Sequence, residues 1–183
     1  MSFTFPRVDA KKPGYSPEQV DQFLTRARAQ FNNPVDGGVT AHDVRNTEFD
    51  LVHGGYSPEV IDGAMDKLED SFASREIQRQ KVERGSYALD DRLARVVELI
   101  RGRLNRPSGK RFANTGLLLR GYSRKQVDVL CEHITRHLDS QAPLSIDEVR
   151  RVVFNNKRGG YVEAQVDAFI DRVIEALQIE QNR

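Results

Sequence analysis

The sequence has a single cysteine, no tryptophan, no long hydrophobic run and no excess of either charge. Its 28 lysines and arginines oppose 27 aspartates and glutamates, which excludes a uniformly basic nucleic-acid coat protein or an acidic tail protein. No apolar run approaches the roughly 18 residues of a membrane-spanning helix, and residues 1–7 carry no secretory signal pattern. Because Cys131 has no partner for an internal disulfide, we expect a soluble protein of the reducing cytoplasm.

A repeated motif organises the chain. The pattern Gly-Tyr-x-x-x-x-[Val/Ile]-Asp occurs four times and contains four of the five tyrosines. A phenylalanine lies ten residues before the tyrosine of copies 1 and 3, and seven residues before the tyrosine of copies 2 and 4. The sequence therefore predicts two homologous blocks, residues 1–78 and 107–183, joined by residues 79–106. In chain order, the motif residues are Gly14, Tyr15, Val20 and Asp21; Gly55, Tyr56, Ile61 and Asp62; Gly121, Tyr122, Val127 and Asp128; and Gly160, Tyr161, Val166 and Asp167.

Each copy of the motif is typical of a helix entrance. In copy 1, Ser16 is a predicted N-cap, and Gln19 follows three residues later, as in a capping box. Tyr15 before the cap and Val20 in the first turn have the spacing of a hydrophobic staple. Gly14 is interpreted as the residue that allows a tight turn or a positive φ. Copies 2 and 3 repeat much of this pattern, and in copy 3 the predicted cap is Ser123, with Gln126 three residues later.

The segments around the motif also favour helices. Thr40 and Ser145 are predicted N-caps of short helices that precede copies 2 and 4, and apolar residues recur at helical spacing after copies 1 and 4. No alternating run is long enough for a stable sheet. The predicted fold is therefore all-α, with two helical blocks of two helix-entry units each. The motif aspartates are interpreted as partners of the helix dipole or of a nearby arginine.

The joining segment is basic. Residues 75–111 contain eleven lysines and arginines but five acids, and an apolar stripe predicts an amphipathic helix from about Ser86 to Leu104. One interpretation is that the stripe packs on the blocks while the arginines face solvent. The others are that the helix lies on an anionic membrane, meets a partner helix or contacts phosphates. The basic patch consists of Arg92, Arg95, Arg101, Arg103 and Arg106.

We identify no catalytic, cofactor-binding or metal-binding constellation in the sequence and expect a protein that is not an enzyme. His133 and His137 are four residues apart, but no third metal ligand accompanies them. Cys131 aligns with Leu24, Met65 and Ile170 of the other copies, so we predict that it fills a core position.

Residues 39–49 followed by Gly55-Tyr56 and Ile61-Asp62 resemble the N-terminal domain of DivIVA proteins, and residues 145–167 look like a second copy. The chain as a whole is similar to the DivIVA-domain repeat proteins of actinobacteria. That resemblance implies a cytoplasmic adaptor of cell division or polar growth, located peripherally at the inner face of the membrane. It also implies protein partners from the division or growth machinery, and either a homodimer or two blocks that pair within one chain.

The resemblance further implies a membrane-contact loop. DivIVA carries an apolar residue next to arginine before its Gly-Tyr, and Leu119-Arg120-Gly121-Tyr122 looks like that arrangement. The candidate contact residues are Leu117, Leu118, Leu119 and Arg120, and the alternative for the leucines is simple burial in the core. The alternative function is a helical nucleic-acid-binding module that uses the basic residues of 75–111.

Overall fold

The computed structural model describes residues 4–35, 37–116 and 118–183, and over these residues the chain is mostly helical. The seven helices of this part are α1 (Pro17–Asn32), α2 (Ala41–Arg45), α3 (Pro58–Arg84), α4 (Ser86–Leu104), α5 (Arg124–Leu138), α6 (Ile146–Arg150) and α7 (Glu163–Asn182). Its strands are β1 (Pro13–Tyr15), β2 (Leu51–His53), β3 (Arg120–Tyr122) and β4 (Asn156–Arg158).

The prediction of an all-α fold missed two small antiparallel sheets. Strand β1 pairs with β2, with Gly14 opposite Val52, and β3 pairs with β4, with Gly121 opposite Lys157. Each strand has only three residues, which is too short to show an alternating pattern. The Gly-Tyr of copies 1 and 3 thus lies in a strand that ends just before a helix.

The chain divides into two compact units, Met1–Glu76 and Ile77–Arg183, which we call the N-terminal and C-terminal units. The N-terminal unit contains β1, α1, α2, β2 and most of α3. Apolar residues on the inner faces of α1 and α3, together with Val44 of α2 and Tyr56, form its core. They comprise Val20, Phe23, Leu24, Ala27, Val44, Tyr56, Ile61 and Phe72.

The C-terminal unit has the same order of elements as the N-terminal unit: strand, helix, helix, strand, helix. It also contains α4, which precedes them. The apolar stripe of α4 is buried and packs against α7 and α5, so residues 79–106 belong to this unit and do not form a separate linker. The predicted bounds of this helix, Ser86 and Leu104, are confirmed. The buried stripe consists of Leu89, Leu93, Val96, Ile100 and Leu104.

Several helix starts follow the sequence prediction. Thr40 and Ser145 both form full capping boxes, in which the Asp43 and Glu148 carboxylates accept a hydrogen bond from the backbone N–H of the cap residue. Because a capping box satisfies two backbone N–H groups, it allows helices as short as α2 and α6 to begin at a defined residue. Ser123 occupies the N-cap of α5, but its side chain makes no capping hydrogen bond, which corrects that part of the prediction.

Candidate functional site: the Gly-Tyr crossings and the turn before β3

The four motif copies pair two by two through their backbones. Tyr15 and Tyr56 each donate a backbone N–H to the other's carbonyl oxygen, both at 2.9 Å. Tyr122 and Tyr161 make the same exchange at 3.0 and 2.9 Å. We call these pairs the N-terminal crossing and the C-terminal crossing. Reciprocal pairing therefore joins the two motif copies inside each block.

The motif glycines are needed because the two backbones approach closely at each crossing. A Cβ on Gly14 would lie 2.5 Å from the Tyr56 carbonyl oxygen, and one on Gly55 would lie 2.5 Å from the Gly14 oxygen. Gly121 and Gly160 face the same obstruction in the C-terminal crossing. None of these four glycines has a positive φ, so the prediction of a turn or positive φ at Gly14 is wrong. The absent side chain makes room for a second backbone.

The tyrosine rings contact phenylalanines of the opposite copy. The Tyr56 ring meets the Phe5 ring edge to face at 5.4 Å between centroids, and the Tyr15 ring lies 5.6 Å from Phe49. In the C-terminal unit the matching centroid distances are 5.2 Å for Phe112–Tyr161 and 5.2 Å for Tyr122–Phe154. Aromatic pairs at such distances add about 0.5–1.5 kcal/mol beyond their buried area. The upstream phenylalanines, which marked the pairing in the sequence, thus join one copy to the other.

The motif aspartates accept hydrogen bonds from the same tyrosines. The Tyr56 hydroxyl donates to Asp21 at 3.3 Å, and the Tyr161 hydroxyl donates to Asp128 at 3.1 Å. Asp62 and Asp167 likewise lie near the hydroxyls of Tyr15 and Tyr122. The helix-dipole interpretation missed these bonds, although Asp128 also pairs with an arginine as expected, Arg111 at 3.1 Å.

Two glutamines predicted to complete capping boxes also reach across the crossing. The Gln19 side chain accepts from the Asp50 backbone N–H at 2.8 Å and donates to the Asp50 carboxylate at 2.7 Å. Gln126 accepts from the Asn155 backbone N–H at 2.8 Å. The capping-box prediction for these glutamines is therefore wrong, while Ser16 does accept a long capping bond of 3.5 Å from the Gln19 N–H.

The apolar motif positions are almost completely buried in each crossing. Val20, Ile61, Val127 and Val166 are all within 1% of complete burial. Tyr56 and Tyr161 are buried with them, whereas Tyr15 and Tyr122 are half-buried. The proposed staple of Tyr15 on Val20 is consistent with their membership of one hydrophobic cluster.

Burial and the aspartates raise the pKa of the crossing tyrosines. The shift is largest for Tyr161, whose pKa burial raises to about 12, with Asp128 adding to the effect. The pKa values of Tyr15, Tyr56 and Tyr122 are also raised, first by burial and then by Asp62, Asp21 and Asp167 respectively.

This shift predicts a loss of stability in alkali. The folded-state pKa of Tyr161 lies above the ordinary value of 10.0. The contribution of this neutral hydroxyl to the free energy of unfolding is therefore complete below pH 10.0. It is lost as the pH rises through about 12, because only the folded state resists ionisation of the ring. We expect the free energy of unfolding to fall across this window, as measured by urea unfolding at stepped pH. Tyr161→Phe should flatten the fall, and an equally steep fall in that variant would contradict the assignment.

The turn before β3 exposes two consecutive leucines. Leu118 is 91% exposed and Leu119 is 65% exposed, so the alternative of core burial is wrong for both. Leu117 lies outside the described residues. Arg120 follows in β3 opposite Arg158, and Lys157 is the next residue back on β4; all three side chains are exposed. We call Leu118, Leu119, Arg120, Lys157 and Arg158 the sheet tip.

The basic patch is distributed over several local contacts. Arg92 pairs with Glu175 at 2.7 Å, and Arg101 pairs with Asp139 at 2.9 Å. Arg103 donates to the Arg111 carbonyl oxygen at 3.0 Å and lies over the Phe112 ring. Arg106 makes a longer bond of 3.4 Å to the same oxygen, and Arg95 is exposed. Most of these guanidinium groups are thus engaged within the C-terminal unit, which weakens the argument for a nucleic-acid surface.

The other reactive side chains have ordinary surroundings. Cys131 is completely buried in the core of the C-terminal unit, and burial raises its thiol pKa to about 12, so the thiol stays neutral. His137 pairs with Glu180 at 3.0 Å. Among the described residues, no group of three histidines, cysteines or acids is placed to hold a metal ion.

Comparisons with protein-family models, with curated proteins and with solved structures find no match for this chain. In the part of the chain that the structure describes, no helix is both long enough and apolar enough to cross a membrane.

Proposed function

We propose that the chain is a non-enzymatic adaptor of bacterial cell division or polar envelope growth, which binds protein partners and contacts the anionic inner face of the membrane. The observation that carries the membrane part is the exposure of Leu118 and Leu119 beside three basic side chains. These two leucines lie at the end of a sheet that the C-terminal crossing holds in place. Transfer of their exposed side chains from water into an apolar phase is favourable.

The sheet tip has the composition of a peripheral membrane contact. Full burial of one leucine side chain contributes about 1.5–3 kcal/mol. A lysine or arginine close to an anionic lipid surface contributes about 1 kcal/mol, and the tip has Arg120, Lys157 and Arg158. Two leucines and three cations together support reversible binding that needs both anionic lipid and apolar insertion.

The cellular setting rests on the resemblance to DivIVA. Both blocks contain the short helix, the loop and the Gly-Tyr entrance on which the resemblance depends, and both fold in the order strand, helix, helix, strand, helix. This shared order supports interpreting the two blocks as homologous DivIVA-like pairs.

The membrane contact predicts a specific lipid-binding defect. Leu119→Asp places a carboxylate at the apolar end of the tip, where desolvation and repulsion from anionic lipid both oppose binding. We expect this variant to lose at least about tenfold in affinity, or about 1.4 kcal/mol, for vesicles of phosphatidylcholine and phosphatidylglycerol. The measurement is flotation of the full chain with these vesicles.

Leu99→Asp is the matched control. Leu99 lies on the outer face of α4 and is 66% exposed, against 65% for Leu119, so the two changes add the same charge at nearly equal exposure. This control should float like the wild type. Failure of the wild type to bind, or an equal defect in both variants, would remove the membrane part of the proposal.

A further inference from the structure

The C-terminal unit has a basic cavity that the proposed function does not use. It lies between the end of α4 and the second half of α5 and has a volume of about 530 Å³. Small-molecule sites commonly occupy about 300–1,000 Å³. Three arginines line it, Arg101, Arg111 and Arg136, with Asn105 and Thr135 as further polar groups and Glu132 as the one acid.

The acids behind these arginines are already committed. Asp139 pairs with Arg101 at 2.9 Å. Asp128 pairs with Arg111 and accepts two further bonds of 2.7 Å, from the Ser108 hydroxyl and the Gly109 N–H. Each carboxylate therefore offsets the charge of one lining arginine, and neither pairs with Arg136.

Arg136 is the lining cation that remains available. Its exposed guanidinium makes no hydrogen bond or ion pair with any described residue, and the same is true of the Asn105 side-chain amide. Arg101 uses two donor groups, on Asp139 and on the Leu138 carbonyl oxygen, and a guanidinium has five N–H donors. Donors that lack a protein acceptor thus face one cavity from two helices.

The surroundings of the cavity add positive charge. Arg103 and Arg106 both donate to the Arg111 carbonyl oxygen, so two more cations lie behind the lining. The pKa of Arg103 is lowered by burial and then by Arg106. Part of this charge offsets the partial negative ends of α4 and α5, where Arg101, Arg103 and Arg136 occupy the last turns. The five arginines outnumber the three nearby acids by two, so positive charge remains around the cavity after the helix ends are offset.

We propose that this cavity binds a phosphoryl group, with Arg136, Arg101 and the Asn105 amide as its donors. Planar guanidinium groups match phosphate oxygens in bidentate geometry, and a phosphoryl group carries enough negative charge to bind despite the Glu132 carboxylate. The group belongs either to a soluble phosphorylated compound or to a lipid headgroup, since both present the same oxygens. This site is separate from the sheet tip and does not depend on the membrane proposal.

The test is titration of the full chain with inorganic pyrophosphate, followed by amide chemical shifts and calorimetry. We expect saturable binding with a Kd of about 1 mM or tighter and shifts centred on residues 101–111 and 132–136. Arg136→Gln should weaken binding at least about tenfold while leaving the unfolding transition nearly unchanged, because the side chain is exposed. Arg124→Gln, an exposed arginine at the other end of α5, is the control and should bind like the wild type.

Two results overturn the site: no saturable binding by the wild type, or equal weakening by both arginine changes, which indicates diffuse charge attraction. A second arm uses soluble short-chain phosphatidic acid, and stronger binding of this lipid than of pyrophosphate assigns the site to a headgroup. Leu119→Asp should bind pyrophosphate normally, so failure of the sheet-tip proposal and failure of this one give different results.

Discussion

Gly160→Ala is expected to destabilise the C-terminal unit by about 3–5 kcal/mol, through overpacking and through lost backbone hydrogen bonds. The added Cβ would overlap the Gly121 carbonyl group and lie 2.6 Å from the Tyr122 carbonyl oxygen. These are backbone atoms of a strand, and they have no rotamer through which to move away. The two bonds between Tyr122 and Tyr161 must therefore lengthen to admit the methyl group. Urea unfolding followed by circular dichroism measures the change.

Gly102→Ala should change stability in the opposite direction. Gly102 lies inside α4, and no heavy atom is within 4 Å of a Cβ built on it. Alanine in a helix interior is favoured over glycine by about 0.5–1 kcal/mol, so this variant should be slightly more stable than the wild type. The same chemical change thus gives opposite signs at two sites. A cost below about 0.5 kcal/mol for Gly160→Ala would show that the backbones are not in close contact.

Local signals in the sequence predicted local features well. The spacing of Leu89, Leu93 and Ile100 predicted α4 and the face that it buries, because an amphipathic stripe reports that face. Thr40 and Ser145 predicted the starts of α2 and α6, because a capping bond involves residues only three apart. Each of these features depends on neighbours within the same helix.

The features that the sequence did not predict are contacts between distant segments. Gln19 has the spacing of a capping box, but its side chain bonds Asp50, and nothing local distinguishes the two outcomes. Tyr56 donates to Asp21, which lies 35 residues earlier in the chain. One signal did point to such contacts: Gly, Tyr and Asp recur together at fixed spacing in every copy. A helix entrance by itself does not require an aspartate six positions after the tyrosine, so the recurrence of this aspartate pointed to a further contact.

The sequence also did not predict that the sheet tip is exposed. Apolar residues at positions 117–119 are equally compatible with a core and with a contact surface, because hydrophobicity does not report the direction of a side chain in a three-residue strand or its turn. The pairing of Arg120 with Arg158 placed the tip away from the core, and that pairing joins segments 38 residues apart.

The second large effect is expected for Asp128→Ala, at a cost of about 3–5 kcal/mol, because the change leaves a buried cation without its partner. Asp128 is 5% exposed and accepts hydrogen bonds from Ser108, Gly109, Arg111 and Tyr161. The Arg111 side chain is itself only 11% exposed, and its Nε already lacks a hydrogen-bond partner in the described part of the chain. Removing the carboxylate therefore leaves the largely buried Arg111 charge without its partner and takes an acceptor from three neutral donors, of which Tyr161 is completely buried.

Asp21→Ala makes the matched comparison, since Asp21 is the equivalent residue of copy 1. Asp21 is half-buried, and the one donor to its carboxylate among the described residues is the Tyr56 hydroxyl, at 3.3 and 3.4 Å from the two oxygens, so its loss should cost about 1 kcal/mol. Urea unfolding of both variants, with hydrogen exchange in α1 and α5 to assign each loss to its own unit, measures the difference. If the two substitutions lower the free energy of unfolding equally, Asp128 does not stabilise the largely buried charge of Arg111. The motif aspartate would then act at both crossings only as the acceptor of a tyrosine hydroxyl.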